Sequence, residues 1–144
     1  MPLNSSDKHI LFLLTVLECI EKLLIYIEGY ASAEEFFEAN TQQPFNASCH
    51  LLLAIGEEVK KIPEEMKEEF SFMKWEEISG LRNRIAHDYR GIDPNIVYKI
   101  ITNELEILKK AMLSMIKLLQ INDQDLAIYL SSSAYSHLQY LKKN

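Results

Sequence analysis

Six residues able to bind or transform a phosphodiester lie within a nine-residue stretch: Arg82, Asn83, Arg84, His87, Tyr89 and Arg90. Imidazole titrates near neutral pH and can take or give a proton, while a guanidinium fork stabilises charge on phosphoryl oxygens. Together they suit RNA transesterification, in which a 2′-hydroxyl attacks the adjacent phosphorus and the 5′-oxygen leaves. That route moves one proton at each end and requires no metal ion. Arg82 and His87 are the candidate catalytic pair, with Asn83, Arg84 and Arg90 as supporting RNA contacts.

The element that carries them must be a helix. From Lys74 onward, Trp75, Ile78, Leu81 and Ile85 recur at helical spacing and define a buried side. Asn83 and His87 project to the opposite side, joined by Arg84 and Arg90. Arg82 falls only about 40° from the middle of the apolar stripe, so it needs a partner, and Glu57 and Glu58 are the candidates. Arg82 and His87 stand about 140° apart on an ideal helix. A long side chain, a frayed end near Gly91 or a second copy of the helix could bring them together. Read alone, His87 also suits a helix C-terminus, where a histidine favours the negative end of the dipole, and Tyr89 suits a core or interface position.

The rest of the chain reads as all-α. It has 144 residues, only four Gly and four Pro, and 48% hydrophobic residues. That is enough for one domain with a real core and argues against a turn-rich β architecture. Helix one is expected from about Ser6 to Glu28, ending at Gly29 in a left-handed conformation. Ser32 with Glu35 forms a capping box for a short helix bearing Phe36 and Phe37. Thr41 to Phe45 reads as a loop. Helix two runs from Asn46 as N-cap to about Ile62, before Pro63, and a short acidic helix follows. Helix three starts near Lys74 and breaks at Gly91. Asp93 and Pro94 open helix four, which reaches Leu119. Asp123 or Asp125 starts an extra C-terminal helix over 121–144, whose docking the pattern leaves open. The architecture is an antiparallel bundle of four to five main helices, with 1–144 as a single domain.

Composition also excludes. A net charge of −6 rules out binding nucleic acid by a global basic field, so any RNA contact is local to the segment around Arg82. Cys19 and Cys49 lack CxxC spacing and read as small buried hydrophobes in a reducing cytoplasm. The apolar run from Ile10 to Leu17 is too short to span a bilayer and has no cleavage site after it. A cytoplasmic protein without a membrane anchor is expected. His9, His50 and His137 are scattered, with no HExxH pair, so no metal site and no cofactor are assigned.

The segment Arg82-Asn83-Arg84-Ile85-Ala86-His87-Asp88-Tyr89 resembles the HEPN superfamily motif, Arg with four residues, His, one residue, Tyr. It is similar in particular to the HepT toxins that pair with the minimal nucleotidyltransferase antitoxin MntA. The likeness spans about 51–117, taking in Ala54-Ile55-Gly56-Glu57 with Val59, Trp75-Glu76-Glu77-Ile78, and Tyr89-Arg90-Gly91-Ile92-Asp93. It implies a HEPN-like bundle forming a two-fold homodimer, with Arg and His from both subunits in each cleft. It further implies a ribonuclease toxin whose Tyr89 accepts AMP from an MntA-like nucleotidyltransferase. His50 stands where the likeness implies an arginine, so it adds positive charge only when protonated. Two other functions fit such a fold: a non-catalytic HEPN partner that presents nucleotide or substrate to a nucleotidyltransferase, and a scaffolding dimer. An intact Arg82, His87 and Tyr89 set favours the ribonuclease, because a scaffold needs none of them.

Overall fold

A computed structural model describes residues 5–142, with side chains from Lys8 onward. The end of the expected C-terminal helix, 143–144, lies outside the described residues, as do the first four positions of the domain expected over 1–144.

The chain is an all-α bundle. Helix α1 (Ser5–Ile27) is its spine. Ile10, Leu13, Leu14, Val16, Leu17, Cys19, Ile20 and Leu23 are all buried, so α1 hides most of its circumference, as an internal helix must. Gly29 follows at φ +89°, the left-handed ending expected there. Helix α2 (Ala33–Glu38) carries the capping box: Glu35 N–H donates to Ser32 Oγ at 3.2 Å, and Glu35 Oε2 accepts from Ala31 N–H at 2.8 Å. Phe36 is fully buried and meets Tyr30, Phe45 and Tyr98.

Helix α3 (Gln43–Val59) begins three residues earlier than the sequence pattern suggests. Asn40, Thr41 and Gln42 all take positive φ and turn the chain within a 3₁₀ segment. Pro44 then sits in the first helical turn, where its missing N–H costs nothing. Asn46 is therefore inside the helix and does not cap it. Helix α4 (Glu64–Glu68) is the short acidic helix expected, and α5 (Trp75–His87) starts after Lys74 as read.

Helix α6 (Pro94–Lys99) is capped by Asp93, whose Oδ1 accepts from Asn95 N–H at 2.9 Å. A π-helical turn at Ile100–Glu104 joins it to α7 (Leu105–Leu119), so the expected fourth helix is one rod with a local widening. Asn122 caps α8 (Asp123–Leu130) by accepting from Asp125 N–H at 2.8 Å. The C-terminal helix is shorter than expected. Beyond Leu130 the chain makes two 3₁₀ turns, at Ser133–Tyr135 and Gln139–Leu141.

The helix pairs are antiparallel. Lys61, just past the end of α3, lies 5.5 Å from the ring of Phe12 near the start of α1. Lys109, early in α7, pairs with Glu21, late in α1, at 2.7 Å. The tail closes onto α1 by burying Leu130 and Leu138 and by meeting Glu18. Among the described residues, no helix is long and apolar enough to cross a membrane.

Candidate functional site on the seam of α3 and α5

Helices α3 and α5 cross where Gly56 faces Arg82. A Cβ at position 56 would fall on Cβ of Arg82 and lie 2.8 Å from its Cγ, so only glycine lets the helices approach this closely. The close crossing sets Arg82 beside Glu57, and its Nε and Glu57 Oε1 form an ion pair. Glu58 bonds Lys61 instead, at 3.0 Å. Arg82 Nη1 also donates to Asn83 Oδ1 at 3.1 Å. The guanidinium is thus held from two sides, with its side chain 23% exposed.

At the other end of the seam, α5 stops at His87. Asp88 takes φ −144° and ψ 60°, and a 3₁₀ turn at Tyr89–Gly91 follows. The break comes three residues before Gly91, and Gly91 leaves room for the turn that follows. The Asp88 carboxylate folds over Gly91, where a Cβ would collide with Oδ2 and lie 2.8 Å from Cγ. Arg90 consequently leaves the helical face on which sequence projection placed it.

Tyr89 turns back toward α3. Its hydroxyl donates to Asn46 Oδ1, and its ring lies 6.5 Å from that of Phe45. Burial, and secondarily the Cys49 thiol nearby, push the Tyr89 phenol above its ordinary value. The phenol therefore keeps its proton at neutral pH and acts as a donor. Tyr89 as a whole is nonetheless 44% exposed, so the residue lies at the surface.

His87 is exposed on the last turn of α5, and among the described residues no hydrogen bond or ion pair engages its ring. Asn83, Arg84 and Arg90 are exposed too. Arg82 and Tyr89 face α3, whereas His87 faces away. One chain therefore does not bring Arg82 and His87 together, in agreement with the 140° projection.

Residues 46, 50, 53 and 57 lie on one stripe of α3. One end touches α5 through Glu57 and the other touches the turn after α5 through Asn46, so exposed His50 lies along the same seam between them. Sequence reading singles out His50 but misses Asn46 as the partner of Tyr89. The signal available is its spacing of eleven residues from Glu57, three helical turns. Cys49, one residue from His50, is a free buried thiol, and burial pushes it up to about 11. Cys19 is likewise free and buried, also raised to about 11, first by burial. Neither thiol is poised for nucleophilic chemistry. Among the described residues, no three His, Cys, Asp or Glu side chains gather as a metal site would need.

Related chains supply independent support. A family model described as "Ribonuclease HepT-like" matches residues 16–115, which include α3, the seam and the whole Arg82 to Tyr89 segment. A protein of Caldanaerobacter subterraneus subsp. tengcongensis is 32% identical over 97 residues, covering 66% of this chain and 82% of its own. One from Methanocaldococcus jannaschii is 29% identical over 114 residues, covering 79% and 92%. Both are provisionally named as RNases. A chain of Thermococcus cleftensis, provisionally named ribonuclease HepT, is 27% identical over 95 residues, 58% of this chain and 86% of that one. No solved structure matches significantly. With the motif set out along a seam and the family model covering it from end to end, the chain belongs to the HepT-like ribonuclease family of HEPN proteins.

Proposed function

We propose that this chain is a metal-independent endoribonuclease toxin acting as a two-fold homodimer. The observation that carries the reading is the division of labour on α5: a guanidinium fixed by Glu57 and Asn83, and an unengaged imidazole one and a half turns on. With Nε engaged by Glu57 and Nη1 by Asn83, the remaining guanidinium N–H groups are available to non-bridging phosphoryl oxygens. His87 moves protons. Transesterification needs a base for the 2′-hydroxyl and an acid for the 5′-oxygen, and two copies of α5 across a dyad supply two imidazoles as well as two guanidiniums. Asn83, Arg84 and Arg90 are supporting contacts to the RNA. The dimer should bury more than roughly 1,000 Å² in total.

Control falls to Tyr89. An MntA-like nucleotidyltransferase would direct the Tyr89 oxygen onto the α-phosphorus of ATP, forming the phenolic P–O bond as pyrophosphate leaves. The phenolic proton passes to a base of that partner, which the raised phenol requires. AMP at this position adds a negative charge that attracts Arg82, Arg84 or Arg90 and repels an incoming RNA phosphate.

The test is cleavage of RNA by purified protein in excess chelator, with sedimentation to establish the oligomer. Activity that requires a divalent cation, or a monomer at micromolar concentration, would overturn the mechanism. Co-expression with the nucleotidyltransferase should raise the intact mass by one adenylyl group in wild type and not in Tyr89→Phe. An unchanged mass with toxicity suppressed would mean that the partner acts by binding alone.

A further inference from the structure

Beside the start of α5 lies an open groove of about 800 Å³ between α4 and α5. Glu64, Lys67, Met73, Trp75, Gly80 and Asn83 line it, with Lys74, Glu76, Glu77 and Ser79. Three observations give it a character distinct from an ordinary surface fold. Trp75 Nε1 is buried and has no acceptor among the described residues, which is costly for an indole N–H unless something else supplies one. Gly80 leaves its floor empty, because a Cβ there would meet nothing within 4 Å. Asn83 belongs both to the groove and to the Arg82 cluster through the 3.1 Å bond.

The groove also runs in line with the candidate chemistry. Glu76, Gly80, Asn83 and His87 follow one another at helical spacings of four, three and four, along one face of α5. His87 stands about 6 Å beyond Asn83 along the axis. A strand whose phosphate sat at His87 would have its neighbouring unit over Asn83 and Gly80.

The lining selects what that unit presents. Glu64 pairs with Lys67 at 3.7 Å and Glu77 with Lys74 at 4.0 Å, and Glu76 adds a further carboxylate. With both lysines already paired, such a surface offers little to hold a bare phosphate, while its carboxylates can accept from amino N–H groups. Lys67 lies 5.9 Å from the centre of the Trp75 ring and makes the wall flat and polarised. The indole N–H needs a carbonyl oxygen or ring nitrogen. A nucleobase with both an exocyclic amine and an acceptor satisfies every one of these demands, and the volume falls in the range of small-molecule sites.

We infer that the groove between α4 and α5 is a base-binding subsite for the nucleotide next to the cleaved bond, selecting amino-bearing bases over uracil. The Trp75 ring turns to bring Nε1, closed off in the free protein, to the base as a donor, the Asn83 amide NH2 donates to the base edge, and the carboxylates accept from the amine. The inference rests on the ribonuclease reading for its substrate, but its test does not need catalysis.

Trp75 is the only tryptophan of the chain, so one indole N–H resonance reports on the groove alone. Adenosine and cytidine 5′-monophosphates should shift that resonance saturably, with uridine 5′-monophosphate binding roughly tenfold more weakly. Inorganic phosphate should leave it in place. Gly80→Leu puts a side chain into open space and should weaken the adenosine nucleotide by roughly tenfold or more with the thermal midpoint kept. If that variant folds poorly, Gly80→Gln serves the same purpose. The inference is overturned if no nucleotide shifts the resonance, if phosphate shifts it equally, or if a folded Gly80 variant binds as wild type. A resonance that moves with protein dilution and not with nucleotide would overturn it too, by assigning the groove to a second copy of the chain. An unresponsive resonance in a protein that still cleaves RNA leaves the ribonuclease reading standing. Nucleotide binding without cleavage sinks that reading and leaves the groove as a nucleotide site.

Discussion

Two histidines, one in the tail and one at the end of α5, meet opposite fates. His137, in the tail, donates its backbone N–H to Glu18 Oε1 at 2.8 Å, and its Nδ1 lies 2.5 Å from Oε2. Glu18 is only 3% exposed and has Lys22 at 3.9 Å as well, so a carboxylate placed among the core residues of α1 is fully engaged. His87 sits at an open helix end with an unengaged ring, on the same helix as an arginine that is engaged. The difference separates a polar group serving the fold from one left free for another molecule. A buried carboxylate without its partner costs several kcal/mol, whereas an exposed imidazole without one costs almost nothing. The tail therefore serves stability, and the end of α5 is where chemistry is available.

Removing each histidine should sharpen this contrast. For His87→Ala the expected loss is in rate, about 10²- to 10⁴-fold in RNA cleavage, the range for a general acid or base. Its thermal midpoint and dimer should stay as in wild type. Retained cleavage in a folded variant would remove His87 from the mechanism. His137→Ala should do the reverse, costing about 2–3 kcal/mol of unfolding free energy because the buried Glu18 carboxylate loses its closest side-chain hydrogen-bond partner, with cleavage per folded molecule intact. Urea denaturation with equal slopes for both proteins gives that value. A loss below about 0.5 kcal/mol would mean that the tail contact is incidental.

What is legible in the sequence follows the same division. Local signals, such as Gly29, the Ser32 and Glu35 box, and Asp93 with Pro94, rest on contacts within a few residues, and each lies where its chemistry puts it. The stripe of α5 correctly buries Leu81 and Ile85 and predicts that Arg82 needs an acid. Long-range pairings are not legible. Glu18 and His137 are 119 positions apart, and nothing in either neighbourhood announces the other. The pattern misplaces the start of α3 because three successive non-glycine residues in left-handed conformation are rare enough that Asn40, Thr41 and Gln42 read as plain loop. Projection carries Tyr89 and Arg90 along a helix that has already ended. The resemblance to the family draws attention to the right segment, but Gly56 and Asn46, which set how that segment meets α3, emerge only from the packing.

The smallest expected effect separates two glycines that composition alone treats alike. Both Gly56 and Gly80 lie inside helices, where alanine is the better helix former by about 0.5–1 kcal/mol. If propensity ruled, both alanine variants would be more stable. Gly80→Ala should be, since its methyl group meets nothing within 4 Å. Gly56→Ala should instead lose about 1–2 kcal/mol, because its Cβ falls on the Arg82 stem and forces α3 and α5 apart. That displacement also draws Arg82 from Glu57, so cleavage should fall along with stability, whereas Gly80→Ala leaves the seam untouched. Thermal melts of the two variants, read beside their cleavage rates, test whether Gly56 tunes the seam. If Gly56→Ala gains stability and keeps full activity, the close crossing does not position Arg82, and the ion pair with Glu57 must hold it unaided.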